Sequence, residues 1–208
     1  METKNKNEQP ETMERRFAMV PVEYHMRNEG EEEDGVIEGY AALYNSRTNL
    51  GWLEEEISVG AFDDVLNDDV RCLYNHDPHY ILARSHNGKG TLTLSLDERG
   101  LKYSYKTPDR GYAKDLEDAI RSGDVSQSSF AFSIKEEEWI KRDGQPDLRI
   151  IKKFERLYDV SPVTFPAYAD TTVAKRSHQN YTQDNTAQVE PKFDEYEARH
   201  RLLTLKTR

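Results

Sequence analysis

The segment Leu92–Tyr105 constrains the fold of this chain more than any other. Leu92, Leu94 and Leu96 alternate with polar residues, Asp97-Glu98-Arg99-Gly100 turns the chain, and Leu101, Tyr103 and Tyr105 return with the same alternation. A period of two places one apolar row on one face of a pleated strand. Two such rows joined by a short turn ending in glycine read as an antiparallel hairpin. The same strand character recurs in Val20–Met26, Val36–Tyr44, Val70–Tyr74, Ser128–Ile134 and Leu148–Val160. Helical signals are few. Val59–Leu66 puts Phe62, Val65 and Leu66 on one side and reads as a short helix. Asp109 is the expected cap of a second helix carrying Tyr112, Leu116 and Ile120, with Gly123 as its stop. Several short strands with one or two helices predict a mainly β chain of the α+β class, built on a mainly antiparallel sheet or barrel.

This periodicity is confined to the stretch from Phe17 to Ala174. A chain of about 150 folded residues can bury roughly 70% of its unfolded surface, enough for a true core. Residues 1–14 read as a disordered polar arm in which Met13 is an alternative start, and the acidic run Glu29–Asp34 reads as a solvated loop. Residues 15–176 form the expected folded domain, followed by a polar linker over 177–191. In the final segment, 192–208, Phe193, Tyr196, His200 and Leu203 fall at helical spacing. An isolated helix of that length is marginal in water, so it needs a partner or is removed.

Charge and cysteine usage exclude several classes. With 29 basic against 39 acidic residues the net charge is -10, which leaves no cationic surplus for broad nucleic-acid binding. No run of 18 apolar residues suggests a membrane span, and the N-terminus lacks the apolar stretch of a secretory leader. The single Cys72 excludes an internal disulfide and a multi-cysteine zinc site. The chain reads as a soluble protein of a reducing, cytoplasm-like compartment.

Three segments carry candidate chemistry. Asn75-His76-Asp77-Pro78-His79 follows the Val70–Tyr74 strand, a position where an imidazole can serve as a general base. It is equally the composition of an ordinary loop. His76, Asp77 and His79, with His86 nearby, also allow a metal reading, although such closely spaced ligands normally need others from elsewhere. In the second segment Ser126, Ser128 and Ser129 lead into a strand with Phe130 and Phe132 on one face. Ser129, Ala131 and Ser133 take the other, less bulky face, expected to meet solvent and substrate. A hydroxyl needs a base, and the base an orienting group, to become nucleophilic. A serine-rich turn before a strand needs neither. The third segment, Leu157–Tyr168, contains Asp159, able to hold a histidine in one tautomer or simply to cap a proline-containing turn. Cys72 is the rival nucleophile, but within Val-Arg-Cys-Leu-Tyr it reads as a small buried hydrophobe.

Taken in order, these elements resemble the prohead (capsid maturation) serine proteases of tailed phages, which are similar in fold to the herpesvirus assemblins. The resemblance covers Arg16 to Ala174. It rests on Asn75-His76-Asp77, on Ser129-Phe130-Ala131-Phe132 and on the block Leu157–Tyr168. It implies an assemblin-like antiparallel β-barrel with a few flanking helices, and a triad of His76 as base, Ser129 as nucleophile and Asp159 as orienter. Ala131 stands where the family commonly has glycine, and Asp159 where it commonly has glutamate, one methylene longer. Oxyanion donors would be backbone N–H groups near the nucleophile. No metal or organic cofactor is implied. The implied substrates are the scaffolding segment of the major capsid protein and the protease itself, including its C-terminal region, with self-association a further expectation. The implied place is the host cytoplasm inside the assembling prohead, or a bacterium carrying the prophage. A non-enzymatic scaffold protein on the same fold is the alternative of a different class.

Overall fold

The structure, a computed structural model, describes residues 13–18, 21–27, 34–165 and 177–182. The chain divides into two compact units, Met1–Val173 and Ala174–Arg208. In the first unit β1 is Glu14–Ala18, β2 Glu23–Arg27, β3 Asp34–Leu43, β4 Thr48–Asn49, β5 Leu53–Ile57 and β6 Val70–Tyr74. There follow β7 Asp77–His86, β8 Lys89–Gly90, β9 Leu92–Leu96, β10 Gly100–Lys106, helix α1 Gly111–Ser122, β11 Gln127–Ile140 and β12 Asp147–Val163.

The Leu92–Tyr105 hairpin forms as expected: β9 pairs with β10 antiparallel, Tyr103 opposite Leu94. With β2 and β3 it makes a four-stranded sheet in the order β2-β3-β10-β9. A second, eight-stranded sheet runs β1-β11-β12-β6-β7-β8, with β5 also on β12 and β4 on β5. Most pairings are antiparallel, but β12 takes β5 and β6 as parallel partners. The two strand orders stay separate among the described residues, so the expected barrel closure is not found. The fold is mainly β.

One core joins both sheets. Ile37, Leu101 and Tyr103 of the smaller sheet share it with Phe130, Phe132, Phe154 and Leu157 of the larger one. Phe62 stacks on Phe154 with ring centroids 4.3 Å apart, and Phe130 lies 4.8 Å from Phe132. Truncating any of these buried rings to alanine removes about 3–5 kcal/mol. Helix α1 turns Ala113, Leu116 and Ile120 inward. Gly123 closes it in the left-handed conformation, φ 84°, donating its N–H to the Ile120 carbonyl.

Several local expectations are corrected. Residues 59–67 form successive turns rather than a helix, closed by bonds three residues apart such as Val65 N–H to Phe62 O. Spacing of Phe62 and Val65 by three fits either form, and both are buried. Asp109 does not cap α1: Arg110 holds the cap position without a side-chain bond, and Asp109 pairs with Lys114. The first strand is split, because β1 ends at Ala18 and β2 begins at Glu23; Val20 lies outside the described residues. In the expected linker, residues 177–182 are helical. The expected terminal helix, the acidic run Glu29–Glu33 and residues 1–12 lie outside the described residues.

Candidate active site

β11 and β12 form the floor of the site. They pair antiparallel with Ser129 opposite Ser161 and Ala131 opposite Asp159, so Asp159 sits two residues along from the partner of Ser129. Alternation sorts the serines. Ser128 faces the core, where its hydroxyl and the Tyr103 hydroxyl lie 2.8 Å apart. Ser129 takes the opposite face. That face is not open: Ser129 and Ala131 are fully buried and Ser133 is 1% exposed, against the expectation of contact with solvent.

His76 arrives from β6, which lies beside β12 with Arg71 opposite Asp159. Tyr74 pairs with Asp77 across β6 and β7, so Asn75 and His76 alone make the turn. Both have positive φ, 54° and 58°, the sign pattern of the two-residue hairpin turns whose twist matches the strands. Histidine tolerates that region less well than glycine, and the strain is offset by the contacts around it. The Asn75 N–H donates to the Pro162 carbonyl at 3.1 Å. The Asn75 side chain accepts from the Thr164 N–H at 2.9 Å and donates to Thr164 Oγ1 at 3.1 Å. The turn is thereby fastened to the end of β12.

The result is a continuous chain of polar contacts. His76 Nε2 lies 2.7 Å from Ser129 Oγ, and His76 Nδ1 lies 2.5 Å from Asp159 Oδ1. Ser161 Oγ donates to the same Asp159 oxygen at 2.6 Å. The side chains of His76 and Asp159 are 6% and 8% exposed, so these bonds lie largely out of water, where electrostatic interactions are stronger. All three residues singled out in the sequence are brought together. His79 is not: it bonds Asp77 at 2.9 Å and is exposed. Cys72 is fully buried, and burial, with the Asp159 charge added, holds its thiol well above its ordinary range. A buried thiol kept protonated is a poor nucleophile.

Sequence reading missed two contributors. Ser161 supplies the second donor to Asp159; its position two residues on, on the same strand face, was available as a signal. The other is β1, which pairs antiparallel with β11, Phe17 opposite Ser129. The Ser129 hydroxyl donates to the Arg16 carbonyl at 2.8 Å. Ser129 Oγ thus sits between the Arg16 carbonyl and His76 Nε2.

The strand-borne serine, turn-borne histidine and strand-borne aspartate stand in the hydrogen-bond order that nucleophilic catalysis by a serine requires. The chain belongs to the Caudovirus prohead serine protease family (Peptidase_S78), whose model matches residues 22–184. It is similar to the prohead protease of Enterobacteria phage HK97, 30% identical over 149 residues. That match covers 70% of this chain and 61% of the relative, so the chain spans about three fifths of the relative's length. Among solved structures it is similar to the bacteriophage T4 capsid assembly protease, with TM-score 0.49 and 14% identity over 74% of this chain and 98% of that one.

Proposed function

We propose that this protein is a serine endopeptidase of phage capsid maturation, with Ser129 as nucleophile, His76 as general base and Asp159 as the group that orients it. The observation that carries the reading is the hydrogen-bond series Ser129–His76–Asp159, assembled from segments 53 and 83 residues apart in sequence. Ser129 Oγ bonds to the carbonyl carbon of a peptide while its proton passes to His76 Nε2. The carbon–nitrogen bond breaks as that proton moves to the departing amine, leaving an acyl-serine. Water then repeats the sequence, giving a free carboxylic acid and restoring Ser129. Asp159 keeps the Nδ1 proton of His76 directed toward itself and stabilises the imidazolium that forms in each half. Ser161 fixes the Asp159 carboxylate by its own bond.

Membership in the family supports the substrate class: the scaffolding segment of the capsid protein, and the enzyme itself, within the assembling prohead. The assemblin-like architecture belongs to the same proposal, and the single core shared by the two sheets supports it. The test is co-expression with the capsid partner followed by intact-mass measurement. Wild type should shorten the capsid protein, while Ser129→Ala and His76→Ala should leave it whole. Because triad members act as a unit, the two should be lowered alike, by about 10^4 to 10^6 in rate. Cleavage by a folded Ser129→Ala chain would overturn the proposal.

A further inference from the structure

β1 is an edge strand that lies N-terminal to the family-matched residues 22–184, yet it lies directly against Ser129. Its inward side chains, Glu14 and Arg16, are 2% and 3% exposed. Each meets an opposite charge of the body in two-point geometry. Glu55 accepts from Arg16 Nε at 2.5 Å and from Nη2 at 2.8 Å. Arg149 donates through Nη1 and Nη2 to the two oxygens of Glu14, both at 2.9 Å. The two body residues are direct partners in the β5–β12 register, and Arg149 Nη1 lies 3.1 Å from Glu55 Oε2. Glu137 on β11 accepts from Arg149 Nε at 2.7 Å and so fixes the plane of the guanidinium.

An extended segment that adds to a sheet edge draws affinity from backbone bonds and selectivity from alternate side chains. β1 occupies the β11 edge in that manner, with a backbone carbonyl at the nucleophile. We infer that Glu55 and Arg149 are specificity-determining residues, reading the charges of an extended strand bound along β11. They select segments in which an acidic residue stands two positions before a basic one, as Glu14 stands before Arg16. The inference rests on the endopeptidase reading and names its substrate class. Exchanging the two charges would set guanidinium against guanidinium and carboxylate against carboxylate in a buried place, the repulsive arrangement from which discrimination comes. Beside Ala18 a cavity of about 350 Å³, lined also by Thr48, Asn49 and Ile57, leaves room for larger side chains. Size at that position is therefore read less strictly than charge at 14 and 16.

The test uses the full chain carrying Ser129→Ala, with Glu14→Arg and Arg16→Glu added to vacate the edge. Two fluorescent peptides spanning residues 12–21 are titrated by anisotropy, one native and one with residues 14 and 16 exchanged. Composition and net charge are identical, so general electrostatics cancels. The native peptide should bind about tenfold tighter or more, and Glu55→Gln should reduce that ratio. Equal affinities, or no binding of either peptide to a folded chain, would overturn the inference. Should the vacated variant fail to fold, hydrogen exchange of residues 14–18 in the Ser129→Ala chain gives the same decision. Excess native peptide should accelerate exchange and the exchanged peptide should not; equal effects overturn it. Reaction of unaltered Ser129 with a fluorophosphonate probe, in the chain with the vacated edge, reports separately on hydrolytic competence. No labelling beside an intact peptide preference would count against the protease reading and uphold the charge reading.

Discussion

Asn75 and Thr164 hold each other through a reciprocal pair of bonds, Thr164 N–H to Asn75 Oδ1 at 2.9 Å and Asn75 Nδ2 to Thr164 Oγ1 at 3.1 Å. They join the turn that presents His76 to the end of the strand that carries Asp159. Asn75 is thus a positioning residue. Asn75→Ala should lower kcat about 10- to 100-fold through small displacement of the imidazole, with KM little changed. Asn75→Asp keeps the acceptor and tolerates positive φ, so it should recover most of the rate. Equal loss in both variants would show that the pair does not set the position of His76.

Ser128 and Ser129 are neighbours with separate duties. Ser128→Ala should retain activity while losing about 1–2 kcal/mol, because the Tyr103 hydroxyl is left buried without its partner. Denaturant unfolding and peptide hydrolysis, measured on the same preparation, check both halves of this expectation.

Asp159 accepts from both His76 and Ser161. Asp159→Asn should leave a folded enzyme slowed by as much as about 10^4 at neutral pH, through the wrong tautomer of His76. Ser161→Ala should cost far less, about tenfold, because the carboxylate charge remains. A Ser161→Ala loss as large as that of Asp159→Asn would mean that the hydroxyl acts on more than the aspartate.

Glu14 gives a pH dependence. Burial alone would raise its pKa, but the bonds and charges of Arg149 and Arg16 hold it below its ordinary 4.5. A carboxyl depressed in the folded state contributes stability that is complete above its unfolded value and is lost as pH falls through the folded one. Wild type should therefore exceed Glu14→Gln in Tm at pH 7. The difference should narrow only below about pH 4.5, where the released strand takes up the proton. A gap that persists unchanged to pH 3 would show that Glu14 is not held ionised.

The site was more legible in the sequence than the strand beside it. His76, Ser129 and Asp159 stand in segments whose order and neighbours mark them, and Phe130 and Phe132 fix the core face of β11. β1 and β5 escaped notice for one physical reason. Glu14 and Arg16 make up most of the inward face of β1, and Glu55 stands between Leu53 and Ile57 on that of β5, so alternation that counts only apolar residues is broken in both. The same omission made Ser129 look solvent-facing, because no strand was expected beyond β11. β7 was hidden differently: Pro78 and the exposed Tyr80 fall where its pairing with β6 shifts register, so the alternation is interrupted at its start.

β12 pairs with β11 along its length and receives β5 and β6 on its other side. It is also the last of the described strands along the chain. A ribosome delivers His76 first, then Ser129, and only later the strand that carries Asp159 and anchors the turn of Asn75. Pairings of β12 with β5 and β6 close long loops and come late for entropic reasons as well. Synthesis itself would act as a timer: under the proposed triad a nascent chain lacks its third member until β12 is in place, so proteolysis would wait until this unit has folded.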